Sequence, residues 1–186
     1  MATPVGHILA GLAIGASVNK VPGLLRRAVA AAFLAAAPDL DFLPGILVGQ
    51  PARFHHAQTH SLGFVFLVSA LVALAARRNK GSWAALAGVA YASHLLLDIL
   101  TVDDGLPYGI PLFWPLSVQT IQSPVTLLPR VPHSSALNAA GDLVTLLVLE
   151  CALFAPLAAW AVLSNYRRPR RGCSESQPGG TPDRTP

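Results

Sequence analysis

Two side chains of the kind that bind metal ions stand four residues apart in an otherwise apolar stretch. They are His94 and Asp98, within Tyr91-Ala-Ser-His94-Leu-Leu-Leu-Asp98-Ile-Leu. On a helix, positions i and i+4 lie on one face, one above the other. Ionisable groups in such surroundings are costly unless they pair or bind a cation. Further groups of the same chemistry lie elsewhere in the chain. Asp39 and Asp41 sit between Pro38 and Pro44, His55, His56 and His60 share a polar connection, and His7 is near the start. Two acids two residues apart diverge on a regular helix, but at a proline-broken helix end both can turn toward one centre.

Together His7, Asp39, Asp41, His60, His94 and Asp98 offer imidazoles and carboxylates, the ligand set for zinc or a similar divalent ion, with enough groups for more than one. Two such ions about 3.5–4 Å apart can activate a water and stabilise a leaving oxygen in phosphoester cleavage. The competing reading is a set of polar contacts between tightly packed helices. Ionisable groups facing one another inside a membrane favour function over that reading. Single residues carry plainer roles. Thr59 and Ser61 suit the cap of a helix beginning at Leu62, and His133 suits a surface loop. Asp103 and Asp104 before Gly105 read as turn chemistry. Trp114 suits an anchor at the membrane interface, and Glu150 has no evident partner.

The elements that must position these groups are apolar. Hydrophobic residues make up 53% of the chain and charged residues 12%, against about 25% charged in soluble domains. The composition therefore indicates an integral membrane protein. Five apolar segments stand out, at 5–18, 28–37, 62–76, 83–100 and 143–163. The second is expected to stop at Pro38. Gly11 and Gly15 in the first segment allow another helix to approach closely. Residues 101–132 form a long proline-rich connection, and a structureless loop of that length is usually functional. These features predict an all-α fold, a compact membrane bundle of four to five helices with a long irregular loop between the fourth and fifth. Residues 1–165 form the membrane domain, and 166–186 a disordered basic tail rich in Pro and Gly. Cys151 lies in an apolar run and Cys173 in the tail, so neither a disulfide nor a cysteine metal ligand is expected.

The basic residues form three clusters: Lys20, Arg26 and Arg27; Arg77, Arg78 and Lys80; and Arg167, Arg168, Arg170 and Arg171. They lie at segment ends and line no common face, which argues against nucleic-acid binding. If all five segments cross the bilayer, the three clusters fall on one side, and the positive-inside rule makes it cytoplasmic, tail included. The histidines, all 6 of them, then fall toward the opposite, outer side, together with every aspartate except Asp183 in the tail.

With these residues in hand, the chain resembles the YdjM-like family of bacterial membrane-bound metal-dependent hydrolases, over roughly residues 5–118. The resemblance is carried by Gly6-His7, Pro38-Asp39-Leu40-Asp41, His55-(x)3-Thr59-His60-Ser61, Ser93-His94-(x)3-Asp98 with Thr101, and Gly109-Ile-Pro-Leu-Phe-Trp114-Pro115. His56 departs from the pattern, which usually has arginine there. If that arginine holds a substrate phosphate, a histidine holds it more weakly at neutral pH, and Arg53 could substitute. The family is more distantly similar to the zinc-dependent phospholipase C and P1 nuclease group, through the HxxxD of His94 and Asp98.

The resemblance implies a multi-pass hydrolase of the bacterial inner membrane, its site facing outward, holding one to three divalent ions, zinc foremost. A metal-activated water would cleave a phosphoester or phospholipid-type substrate. His7, Asp39, Asp41, His60, His94 and Asp98 would be the ligands. Asp41 or His55 would serve as general base, and Arg53, His56 and Trp114 would contact substrate. The 101–118 loop would cover the site and admit a small-molecule or lipid substrate. The alternatives are a non-catalytic membrane protein that binds or transports a metal or proton through the same cluster, and an assembly or stress-response partner without turnover.

Overall fold

The computed structural model describes residues 2–50, 54–102, 109–128 and 136–167. Arg53, Asp103, Asp104, His133 and the tail from 168 onward, with Cys173 and most of the third basic cluster, lie outside the described residues, as do the side chains of 136–140 and 142.

Helix α1 (Pro4–Ser17) has Thr3 as N-cap and Pro4 at its first position, where a missing N–H costs nothing. Helix α2 (Leu24–Ala36) runs into a 3-10 turn (Ala37–Asp41) and then a short α3 (Phe42–Leu47). The expected stop at Pro38 holds for the α-helix, which ends at Ala36 with Ala37 as its C-cap, although the chain does not turn away there. Pro38 occupies the first turn of the 3-10 segment, whose N–H groups need no partner within it, so the chain tightens and continues. Helix α4 (Leu62–Ala75) is capped by the Ser61 hydroxyl, which accepts from the Phe64 N–H. Helix α5 (Lys80–Ile99) carries His94 and Asp98 on its last turns. Helix α6 (Ala136–Tyr166) starts earlier than the expected 143 and contains Pro156. Between α5 and α6 the described residues hold no helix, only isolated bridges of Thr101 with Leu128 and Ile110 with Ile121.

The fold is an all-helical bundle. Helix α1 packs against α2, α5 and α6, while α4 packs on α5. The approach of α1 to α2 depends on the two glycines. A Cβ on Gly11 would lie 2.5 Å from the Ala31 carbonyl oxygen, and one on Gly15 2.6 Å from the Ala28 Cα. Among the described residues three helical stretches are long and apolar enough to cross a membrane, Leu24–Leu47, Lys80–Ile99 and Leu143–Tyr166, whereas α1 and α4 are shorter. The exterior matches this reading: Phe33, Phe66, Leu74 and Trp160 are exposed, as lipid-facing side chains are.

One basic residue differs from its expected loop position. Arg27 is buried, and its guanidinium donates to the carbonyls of Gly15, Ala16 and Val21 and to the side-chain oxygens of Asn19 and Asn165. It thus satisfies the last carbonyls of α1, where a cation is favoured, and ties α1, α2 and α6 together. Lys20 and Arg26 are exposed at the same end.

Candidate metal centre

The opposite end of the bundle gathers the ionisable groups. α1 supplies His7, the 3-10 turn Asp39 and Asp41, the segment before α4 His55, His56 and His60, and α5 His94 and Asp98. His7, His60 and His94 are fully buried, and Asp41 and Asp98 nearly so.

The geometry separates groups that face a common point from groups that hold them. His94 Nδ1 lies 2.7 Å from the Ala35 carbonyl oxygen. A carbonyl only accepts, so Nδ1 carries the proton, and in the neutral ring Nε2 presents its lone pair to the interior. His60 is oriented in the same sense: Nδ1 lies 3.2 Å from Asp41 Oδ2, which leaves Nε2 facing His94 Nε2 at 3.2 Å. Two carboxylate oxygens complete the group. Asp98 Oδ2 is 3.0 Å from His94 Nε2 and 3.5 Å from His60 Nε2, and Asp39 Oδ1 is 3.4 Å and 3.8 Å from the same two atoms. Tetrahedral zinc with bonds of about 2.0–2.1 Å needs ligand atoms about 3.3–3.4 Å apart. The five separations bracket that edge length.

Hydrogen bonding leaves several atoms of the centre without a partner. Both Asp39 oxygens, Asp98 Oδ2 and both His7 nitrogens are buried without a hydrogen-bond partner among the described residues. Buried polar atoms left without partners call for an explanation, and these groups could hold a cation. His7 stacks on His94 with ring centroids 3.7 Å apart and sets Nε2 3.5 Å from Asp98 Oδ1. Three overlapping groups have spacings that could hold an ion: Asp39, His60 and His94; His7, His94 and Asp98; and His55, His56 and His60.

Asp41 takes a different position from Asp39. Its Oδ1 lies 2.9 Å from His55 Nδ1, and its Oδ2 accepts from the Thr59 hydroxyl at 2.9 Å besides facing His60. It therefore holds two imidazoles, and both its oxygens are engaged. Burial pushes the His55 imidazole below its ordinary value, and the hydrogen bond to Asp41 only partly offsets this. Burial acts on His60 in the same sense, but the Asp39 and Asp41 carboxylates outweigh it and raise that imidazole.

Of the residues expected to meet substrate, His56 adopts φ 59° with its ring centroid 4.2 Å from that of His55, and Arg53 lies outside the described residues. Trp114 packs on Phe64 at the head of α4, 5.9 Å between centroids. The connection around it lies beside the centre: Leu112 accepts from the Leu62 N–H, and Ile110 is buried with Val65, Tyr91 and Leu95.

Three supports were not evident from the sequence. The Tyr91 hydroxyl donates to the Thr59 carbonyl at 2.9 Å and so fixes the strand of chain that leads into His60. Its signal was its place one turn before His94, on the same face. The Ala2 N–H donates to Asp98 Oδ1 at 3.2 Å. Glu150, fully buried on α6, accepts from the Thr3 N–H at 2.6 Å and from the Thr3 hydroxyl, so it braces the start of α1 three residues before His7. A contact across |i−j| of 147 leaves no periodicity to read.

No curated protein and no solved structure matches the chain. The family described as YdjM inner membrane protein matches residues 1–168, nearly the whole membrane bundle and every residue of the centre, and the protein belongs to that family.

Proposed function

We propose that this protein is a membrane-bound metal-dependent hydrolase that holds zinc in its buried His/Asp centre and cleaves phosphoester or phospholipid-type substrates. The observation that carries the reading is that Asp39 Oδ1 and Asp98 Oδ2 each lie 3.0–3.8 Å from the facing Nε2 atoms of His60 and His94, which are themselves 3.2 Å apart. These four, with His7 beside them, would hold the ion. When bound, a divalent ion there supplies Lewis-acid polarisation of a phosphoryl oxygen and lowers the pKa of water.

The chain's own groups supply the rest. The Ala35 carbonyl and Asp41 fix the tautomers of His94 and His60, which keeps both Nε2 lone pairs turned inward. His55 donates from Nδ1 to Asp41, so its Nε2 is the basic atom, and its lowered pKa keeps it neutral near pH 7. As general base it would take a proton from an incoming water and return it to a leaving oxygen. His56 lies next to it, with ring centroids 4.2 Å apart.

The exposed Lys20, Arg26, Arg77, Arg78 and Lys80 lie at the end of the bundle away from the centre. By the positive-inside rule that end is cytoplasmic, the centre faces outward, and the tail is cytoplasmic. Transport through the same cluster is disfavoured by what lies beneath it. Val21, Ala31, Trp83, Leu86 and Ala90 form a buried apolar cluster on the helices that lead from the centre to the basic end.

The test is elemental analysis of the purified protein, followed by a phosphodiester and phospholipid hydrolysis screen with and without chelator. Bound zinc and chelator-sensitive turnover are expected, both lost in His94→Ala. Full metal content in that variant would sink the site assignment. Metal without turnover would leave the binding-only reading.

A further inference from the structure

The basic end of the bundle carries a second concave feature, far from the centre. A cavity of about 660 Å³ opens between the start of α2, the end of α4 and the start of α5. Its rim holds Arg26, Arg77 and Arg78, and its floor includes Ala30, Val72 and Trp83. Arg26 is held in place by Trp83, its Cζ lying 5.0 Å from the ring centroid. No carboxylate lies at this end among the described residues. Asp39, at the far end of α2, is thirteen residues from Arg26, about 20 Å along a helix. Among the described residues the three cations therefore have no acidic partner there to offset them.

We infer that this cavity binds one anionic glycerophospholipid, its phosphate among the three arginines and its acyl chain against the apolar floor. Two features argue for an amphiphile over a soluble anion. The cations and the hydrocarbon surface belong to one continuous depression, and that depression lies where α2, α4 and α5 reach the end of the apolar bundle. Its volume is that of a small-molecule site. Basic pockets between membrane helices attract anionic headgroups by direct electrostatics, with each arginine adding to the affinity. The proposal is independent of the metal chemistry and concerns the other side of the molecule.

The test uses the full chain, purified in a mild non-ionic detergent. Retention of phosphatidylglycerol is compared with that of phosphatidylcholine by native mass spectrometry. Phosphatidylglycerol should be held preferentially, and R26Q/R77Q/R78Q should weaken its retention by about a hundredfold. The lysine variant R26K/R77K/R78K should keep most of it, and Lys20→Gln, outside the cavity, should change nothing. Equal retention of the two lipids, or glutamine variants that bind like the parent chain, would overturn the proposal. So would displacement of the lipid by inorganic phosphate at millimolar concentration, because the site would then be one for a free anion. Should the glutamine variant not fold, fluorescence decides in the W114F/W160F chain, where Trp83 is the remaining tryptophan. Brominated phosphatidylglycerol should quench it and brominated phosphatidylcholine should not; equal quenching refutes the site.

Discussion

At the scale of single residues, the division of labour between Asp39 and Asp41 is the point most open to measurement. Asp39 faces the imidazole nitrogens with both oxygens lacking hydrogen bonds, whereas Asp41 spends its oxygens on His55, His60 and Thr59. Asp41→Asn should therefore lower zinc affinity by about 10–100-fold without abolishing binding, the usual cost of losing an outer carboxylate. Asp39→Asn should cost more, and competition with a chromogenic chelator ranks the two. Equal losses would place Asp41 among the direct ligands. The pH dependence follows from His60. Its pKa is raised above 6.5, so protons compete with the metal on both sides of that value. Zinc affinity should fall from pH 8 to pH 6, by about tenfold per pH unit for each proton displaced. In the metal-free protein the sign is reversed. A raised histidine contributes stability that is present below pH 6.5 and is lost as pH rises through its folded value. Thermal melts of apo and zinc-loaded protein across that range check both directions.

At the scale of elements, helix length sets the depth of the site. A 20-residue helix such as α5 reaches about 30 Å, the thickness of a bilayer core. Helices α1 and α4 have 14 residues each and reach about 21 Å. Both begin at the centre: α1 starts three residues before His7, and α4 starts just after His60. The short helices thus stop where the polar groups are needed and leave the space above them to residues 109–128. The 3-10 turn serves the same end: at three residues per turn Asp39 and Asp41 diverge by about 120° around the axis, against about 160° on an α-helix, at the close of α2. Positioning also requires that α1 lie tight against α2. Gly11→Leu should destabilise the fold by about 1–3 kcal/mol, the cost of overpacking a close contact, and should reduce zinc retention by moving His7. Gly81→Ala, where an added Cβ meets nothing within 4 Å, is the matched control and should leave the melting temperature unchanged or slightly higher.

At the scale of the whole molecule, the described residues are polarised, with histidines and aspartates at one end and the exposed lysines and arginines at the other. That asymmetry predicts the orientation. In a background lacking Cys151 and Cys173, Gln119→Cys should react with a membrane-impermeant maleimide added outside intact cells, and Lys80→Cys only after permeabilisation. The reverse pattern would turn the centre toward the cytoplasm. Much of this was legible in the sequence. Low charge and apolar segments specify a membrane bundle, because only helices or closed barrels satisfy backbone groups in lipid. The His94/Asp98 spacing specifies one shared face, because helical periodicity is local. The loop charges specify polarity, because that rule counts residues at segment ends. What only the tertiary structure decided depends on long-range approach. It brought His7, Asp39, His60 and His94 to ligand spacing, gave Glu150 its partner in Thr3, turned Arg27 from a loop charge into an internal helix cap, and set Asp41 behind the histidines it orients. Local pattern fixes which face a side chain occupies on its own helix. Which faces meet, and to within how many tenths of an ångström, is settled by packing contacts such as those of Gly11 and Gly15, which join residues distant in the chain.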